Sequence, residues 1–535
     1  MSKMAIISGM KGLLATGCGL LLLVSAAAAQ EAGGVNADAL AAVVPPDILA
    51  ELKVVEEDGR RLVEASLGQV LRMALERNQA LEAIRMEEQL AESRLTAARS
   101  TNHPTLTNSL SHTRSLSASA SSSGDYLSLY GSNATTLNST YSKKLSSGVT
   151  MGLSYTETRL RSQSGSIPAE GEDPVLGPAG DWWDTSALKG SVNIPLGKGL
   201  GSAINDLSAS RSEVGLSATR VQVGSQIQAL LARIASTYWD LVGLIEVRRI
   251  QADAVKLSET LLADNQARLA TGVLSPMDVQ VTRTQLARDR QRLLSVRLDV
   301  LRIEDQVRAL LGLEALSEYG LKPRDVPEAR RLDYDQKALL GKALASDPDV
   351  LGLQSALELN NLDMVESRNN DRTDLDLDLY YTFYGYSSDP LGGVSQFSQT
   401  KTDGYGVTLT WTVPLFDHSI RESMNQRSLE RQQLELQLSS LRSDLTVRLQ
   451  SLLGRINLAE KEVETARITV SLVEEQLQNE IERFRLGQST SFRVSQAQQD
   501  AAQARVDEIL ARVRFEKNYL ELLVLTGTLL PEFNL

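Results

Sequence analysis

One stretch of this chain carries an apolar residue at every third or fourth position for fifty residues. The series runs Leu434, Leu438, Leu441, Leu445, Leu449, Leu452, Ile456, Ala459, Val463, Ala466, Val470, Val473, Leu477, Ile481 and Phe484. Its steps average about 3.57 residues, between the 3.5 of a coiled coil and the 3.6 of a straight helix. A weaker stripe runs through Ile227, Leu230, Ile234, Tyr238, Leu241, Ile245, Ala252, Val255 and Leu262. At about 1.5 Å per residue, a helix of some 60 residues spans roughly 90–100 Å. That exceeds any single globular core, so such helices must pack lengthwise in a bundle or an assembly. The chain is only 4% aromatic, which suits long helices better than an ordinary mixed α/β core.

Two other runs use a period of two. Leu375, Leu377, Leu379, Tyr381 and Phe383 alternate with Asp374, Asp376, Asp378, Tyr380 and Thr382. Tyr405, Val407, Leu409, Trp411 and Val413 alternate with Gly406, Thr408, Thr410 and Thr412. Each run is about ten residues, the length of a membrane β-strand. The three aspartates suit a wet lumen better than a dry core. The apolar partners, with Tyr405 and Trp411, suit a lipid face and its interfacial aromatics. The Ser-, Thr- and Gly-rich stretch 104–195 holds four expected strands, near 104–112, 137–145, 149–157 and 187–195. Ser146-Ser147-Gly148 reads as a tight turn between the middle two, and 115–131 and 163–180 as long polar loops.

The N-terminus reads as an address. Lys3 and Lys11 precede an apolar run from Leu13 to Val24, and Ala27-Ala28-Ala29 forms an A-x-A cleavage site before Gln30. Cys18 lies inside the apolar run, where a lipoprotein box is only loosely matched. No later segment is apolar enough for a membrane helix, so an exported chain of this kind is soluble or crosses the bilayer as a barrel.

Several function classes are disfavoured. A net charge of −12 does not provide the basic face that nucleic acid requires. One cysteine and three histidines (His103, His112, His418) leave no disulfide scaffold and little for a metal site. Gly197-Lys198-Gly199-Leu200-Gly201 lacks the spacing of a phosphate loop and reads as a flexible joint between strand and helix. Asp374, Asp376 and Asp378 alternate on a strand, unlike a calcium loop. No H-E-x-x-H or G-x-S-x-G occurs. No enzyme, cofactor or metal is expected.

The order of elements occurs twice. Ala74-Leu75 with Arg77-Asn78 aligns with Ala343-Leu344 with Ser346-Asp347, a shift of 269. Ile194-Pro195-Leu196 aligns with Val413-Pro414-Leu415, a shift of 219. Arg268 to Gly272 aligns with Arg483 to Gly487, a shift of 215, as does Leu311-Gly312 with Thr526-Gly527.

In this layout the chain resembles the TolC-like outer membrane efflux protein family over about 66–530. The resemblance implies a mixed α and β membrane protein with two internal repeats per protomer, whose trimeric outer-membrane β-barrel continues into a long periplasmic α-helical coiled-coil barrel. The expected organisation is a signal peptide (1–29), a linker (30–65), a first repeat (66–312), a second linker (313–337) and a second repeat (338–530). The first repeat has a helix 66–100, a β region 104–195 and long helices 202–268 and 275–312. The second has a helix 338–370, strands 374–386 and 404–415, and long helices 420–485 and 490–527. The implied function is a passive exit duct of an efflux or type I secretion system. Its partners are two further copies, a periplasmic adaptor, an inner-membrane transporter and outer-membrane lipid. An exported coiled-coil structural or surface-display protein is the alternative.

The family barrel has twelve strands; if the middle hairpin of 104–195 joins the wall, the trimer has eighteen. We expect instead that this stretch forms long extracellular loops or extended strands. Adaptor docking falls on the tips at Gly272, Val273, Leu274, Gly487, Gln488 and Ser489. Where the best-known members carry acids, six and nine residues past the second tip glycine, this chain has Arg493 and Gln496. Asp278, six past Gly272, matches an acid of the family's gate. The expected constriction therefore involves Asp278, Arg493 and Gln496, with Arg493 supplying positive potential and Asp278 as its candidate partner.

Overall fold

A computed structural model describes residues 53–57, 60–120, 126–168, 175–312, 319–397, 402–413, 415 and 418–533. The expected signal peptide with Cys18, the first part of the expected linker, and Pro414 lie outside the described residues. The elements begin with β1 (Lys53–Glu57), β2 (Arg60–Ala65), α1 (Leu67–Arg77) and α2 (Gln79–Ser100). There follow β3 (Thr105–Ala120), β4 (Tyr126–Lys144), β5 (Thr150–Pro168), β6 (Val175–Leu176) and β7 (Trp183–Pro195). Next come α3 (Ser202–Asn205), α4 (Leu207–Ala270), α5 (Pro276–Leu311), β8 (Tyr319–Pro323), α6 (Gln336–Ser346) and α7 (Pro348–Asn370). The last are β9 (Asp374–Ser387), β10 (Asp403–Thr412), α8 (Ser419–Arg485), α9 (Ser491–Leu525) and α10 (Leu529–Glu532). No described helix is long and apolar enough to cross a membrane.

The chain divides into two compact units. The first comprises the described residues up to Ile84, Gln226–Ala343 and those from Val447 onward. In it β2 pairs antiparallel with β1 and parallel with β8. Both stretches expected as linkers thus contain strand at their described ends. The sequence hides this because the strands are short, charged and about 260 residues apart. Val63 and Ala65 of β2 enter a core with Leu67, Val70 and Leu71 of α1, Leu231, Ile234, Tyr238 and Leu241 of α4, and Leu520 of α9.

Tyr238 is fully buried, and its hydroxyl donates to the Asp325 carboxylate at 2.7 Å, with the Ala65 carbonyl at 3.1 Å. The same Asp325 oxygen accepts from the Leu67 N–H at 2.6 Å, one of the orphan donors that begin a helix. Burial, then the neighbouring carboxylate, hold the Tyr238 phenol well above its ordinary pKa. Asp325→Ala removes both bonds, and we expect it to lower stability by roughly 2–3 kcal/mol, read as a lower urea midpoint.

The expected helices 66–100 and 338–370 are each interrupted once. The Asn78 Oδ1 accepts from the Ala80 and Leu81 N–H groups at 2.7 and 3.1 Å. The Asp347 Oδ1 accepts from the Asp349 and Val350 N–H groups, both at 3.0 Å. The Asn/Asp of the recurring motif is therefore an N-cap that restarts the helix.

The second unit comprises Arg85–Ser225 and Leu344–Thr446. Its sheet runs β10-β9-β7-β5-β4-β3, antiparallel throughout, with the short β6 alongside β5. The middle hairpin, β4 and β5, lies inside the sheet, so one chain supplies six long strands. This corrects our reading of 115–131 and 163–180 as polar loops: much of both is strand. Serine alternates there with residues as small as Ala118 and Gly165, so the period-two contrast is slight although the ladder continues.

The glycine-rich joint after β7 is also not the flexible link expected. The Leu196 and Lys198 N–H groups donate to the carbonyls of Leu375 and Thr373 at 2.7 and 2.9 Å. The Gly199 N–H donates to Asn369 Oδ1 at 2.9 Å. A Cβ on Gly197 would stand 2.0 Å from the Thr373 carbonyl oxygen. Gly197 thus serves close backbone approach, while Gly199 and Gly201 supply positive φ, 85° and 100°.

Candidate channel wall and helix tips

Residues opposite each other in an antiparallel ladder share a face. Registers therefore extend each strand's alternation across the whole sheet. One row joins Leu106, Tyr141, Leu153, Gly190, Tyr381 and Tyr405. The next joins Lys143, Met151, Val192, Leu379 and Val407, and below it lie Ile194, Leu377 and Leu409, then Leu375 and Trp411. Phe383 lies in a row with Tyr155 and Leu188 on the same side. All nine residues expected to face lipid (Leu375, Leu377, Leu379, Tyr381, Phe383, Tyr405, Val407, Leu409, Trp411) share this face. It is uncovered: Tyr405, Val407, Leu409 and Trp411 are 62–79% exposed.

The opposite face is polar. Thr107, Thr140, Ser154, Lys189 and Thr382 form one row, and Asn193, Asp378 and Thr408 lie in another. Asp374, Asp376 and Asp378 all belong here. The Asn193 amide donates to Asp378 at 2.8 Å, and the Lys189 ammonium lies 4.5 Å from the Tyr380 ring centroid. β3 and β10 are the sheet's outer strands, with no further partner among the described residues.

The first unit carries the tips. At both turns the chain closes with a left-handed glycine, Gly272 (φ 76°) and Gly487 (φ 75°). The Gly272 and Val273 N–H groups donate to the carbonyls of Leu269 and Arg268. The Gly487 and Gln488 N–H groups donate to those of Phe484 and Arg483. This is the Schellman closure, which selects glycine for its φ. The two turns share one apolar cluster of Leu261, Leu274, Ile481, Phe484 and Val494. The Arg268 guanidinium stacks 4.8 Å from the Phe484 ring centroid. Beneath them Asn265 donates to the hydroxyls of Thr282 and Ser491 at 2.7 and 3.0 Å, joining α4, α5 and α9.

The expected tip residues separate by role. Val273, Gln488 and the two glycines are exposed. Leu274 turns inward against the cluster, and the Ser489 hydroxyl donates to Glu480. Sequence reasoning missed Met277, Leu486 and Phe492, which are 72%, 74% and 63% exposed. Only their adjacency to the turns could have marked them.

Asp278 is the N3 residue of a capping box: its carboxylate accepts from the Ser275 N–H and hydroxyl at 3.2 and 2.7 Å. No ion pair joins it to Arg493 among the described residues. Arg493 and Gln496 are exposed on α9, on a stripe that continues through Asp500, Gln503 and Asp507. Gln496 donates to Asp500 at 2.9 Å and Gln503 to Asp507 at 2.8 Å. Both aspartates escaped the sequence reading because they stand further along the helix than the family positions. Exposed apolar stripes also run along α8 (Leu429, Leu436, Val447, Leu458, Ile468, Leu472) and α5 (Leu294, Leu298, Leu301).

A family model described as outer membrane efflux protein matches residues 195–313 and 339–528. No curated protein matches the sequence. Among solved structures, the chain is similar to the CmeC outer membrane channel of Campylobacter jejuni. They share 14% identity at a TM-score of 0.58, over 86% of this chain and 85% of that one. It is similar to VceC of Vibrio cholerae at 14% identity and a TM-score of 0.59, over 86% and 96%. A third likeness is to the open-state MtrE channel of Neisseria gonorrhoeae, at 15% identity and a TM-score of 0.57, over 86% and 88%.

Proposed function

The chain belongs to the outer membrane efflux protein family, and on that footing we propose that three copies build one passive exit duct through the outer membrane. The family consists of outer membrane channels, which are not enzymes, and the chain is an outer-membrane component with a large periplasmic portion. The observation that carries the duct reading is the sheet of six long strands with an exposed apolar face, a polar face and two outer strands without further partners among the described residues. Open sheet edges are not tolerated in hydrocarbon. Rotational symmetry removes them by pairing β3 of each copy with β10 of the next. Three copies then close eighteen strands, with Asp374, Asp376 and Asp378 in the lumen and Leu375, Leu377 and Leu379 against lipid. The exposed stripes of α5 and α8 supply the neighbouring seams of the helical wall.

Val273, Met277, Leu486, Gln488 and Phe492 form the docking surface for a periplasmic adaptor, which couples the duct to an inner-membrane transporter. The stripe of α9 lines the narrow end, with a ring of three Arg493 followed by the Gln496–Asp500 and Gln503–Asp507 pairs. The native mass of the detergent-solubilised chain tests the assembly: three copies are expected, and a monomer or dimer would contradict it. Arg493→Ala tests the ring. Single-channel recordings are expected to shift toward cation preference by severalfold, because the carboxylates of Asp500 and Asp507 then dominate the local potential. An unchanged reversal potential places Arg493 away from the constriction.

A further inference from the structure

Two rows on the face of the apolar band carry arginine, and further along β3, β4 and β5 the same face turns apolar again at Leu116, Leu129 and Ile167. Leu110 and Leu137 share a row with the buried Glu157, which accepts from the Tyr155 and Ser186 hydroxyls. Above it the next row on the same face joins His112, Thr135, Arg159 and Asp184, and the row beyond joins Arg114, Asn133 and Arg161. Successive rows are two residues apart, so with the tilt of barrel strands they stand about 5 and 10 Å beyond the band along the membrane normal. That is the depth of lipid headgroups, and arginine side chains reach several ångströms further.

The cluster is organised. The guanidinium carbons of Arg159 and Arg161 lie 5.3 and 5.6 Å from the centroid of the Trp182 ring. The Arg161 Nε–H donates to the Gly180 carbonyl at 2.8 Å, which fixes the guanidinium and leaves its terminal nitrogens free of that bond. Arg159 lies 4.0 Å from the Asp184 carboxylate. Neither Arg114 nor Arg161 has a carboxylate partner among the described residues. Both line one recess with Asn133, Gln163 and Gly131. Two forked guanidinia with an amide between them match the oxygens of a phosphate monoester. An indole at the same level is the ordinary anchor of an outer-membrane protein at the interface.

We propose that Arg114, Arg161 and Asn133, with Arg159 and Trp182 beside them, bind a phosphate-bearing headgroup of the outer leaflet. This rests on the outward orientation of the apolar face argued above. Continuity with the exposed apolar residues of β3 and β4 selects a lipid over a free anion: the acyl chains of the same molecule would lie along Leu110, Leu137 and Leu106.

The test uses the full chain, delipidated in detergent, and native mass spectrometry of retained lipid. The probes are bisphosphorylated lipid A, the same lipid after phosphatase treatment, and inorganic phosphate. The phosphorylated lipid is expected to bind at least tenfold more tightly than the dephosphorylated one. Arg114→Gln with Arg161→Gln should erase that difference, while Arg114→Lys with Arg161→Lys keeps part of it. Heat-modifiable migration on gels checks that each variant retains its barrel. Equal binding of the two lipids, or wild-type discrimination by the glutamine pair, overturns the proposal. Displacement of the lipid by an equal concentration of inorganic phosphate overturns the lipid source. Retention of no lipid, together with extraction from membranes without detergent, would instead overturn the duct reading beneath it.

Discussion

Replacing Leu409 by arginine is expected to remove the chain from the outer membrane, while Thr408→Arg, one residue away, leaves it there. Leu409 is 62% exposed and shares its face with Leu377 and Ile194. Thr408 stands opposite Asp378 on the polar face. If the apolar face meets hydrocarbon, an arginine one row inside the band costs roughly 1–3 kcal/mol, less than at the midplane, and each copy in an assembly of three bears it. On the same reading the polar face lines the lumen, where an arginine beside Asp378 would meet water and a carboxylate. Quantifying folded, heat-modifiable protein in outer-membrane fractions checks the pair. Equal levels for the two variants would mean that the faces see the same environment.

The second large effect concerns the tips. Leu486→Asp with Phe492→Asp should abolish export while leaving the duct folded and inserted. Both side chains are mostly exposed, so neither contributes much to the core, and the cluster of Leu261, Leu274, Phe484 and Val494 stays intact. At an interface, however, buried apolar anchors are worth roughly 2 kcal/mol or more each, so two charges weaken docking a hundredfold or more. The measurement is the affinity of the purified protein for the proposed periplasmic adaptor, alongside export in cells. Unchanged affinity would put the docking surface elsewhere.

The sequence reading succeeded where one period dominated. The seam from Leu445 to Phe484 and the strand Leu375–Phe383 announce themselves because one side is apolar and the other is not. It failed where that contrast was slight. From Ser115 to Ala120 serine alternates with Leu116 and the small Ala118, and from Gln163 to Pro168 with Gly165 and Ile167, so it is the ladder with Tyr126–Ser132 that reveals these strands. The pairing of β2 with β8 was invisible because partners such as Val63 and Leu321 are far apart in sequence. The motif ending in Asn78 and Asp347 was seen as a pattern; its role as a helix cap needed coordinates. At the tips the glycines were legible from their position, but not the inward turn of Leu274 or the capping bond of Asp278. Those depend on which way a side chain leaves the turn.

The central claim is that one face of this sheet meets lipid and the other water. Cys18 is the only cysteine in the sequence, so Cys18→Ser gives a background for single cysteines placed at each position from 374 to 379. A fluorophore at each site, in the full chain reconstituted into bilayers containing nitroxide-labelled lipid, reports contact with hydrocarbon. The account predicts strong quenching at 375, 377 and 379 and little at 374, 376 and 378. Quenching at none of the six positions would contradict it.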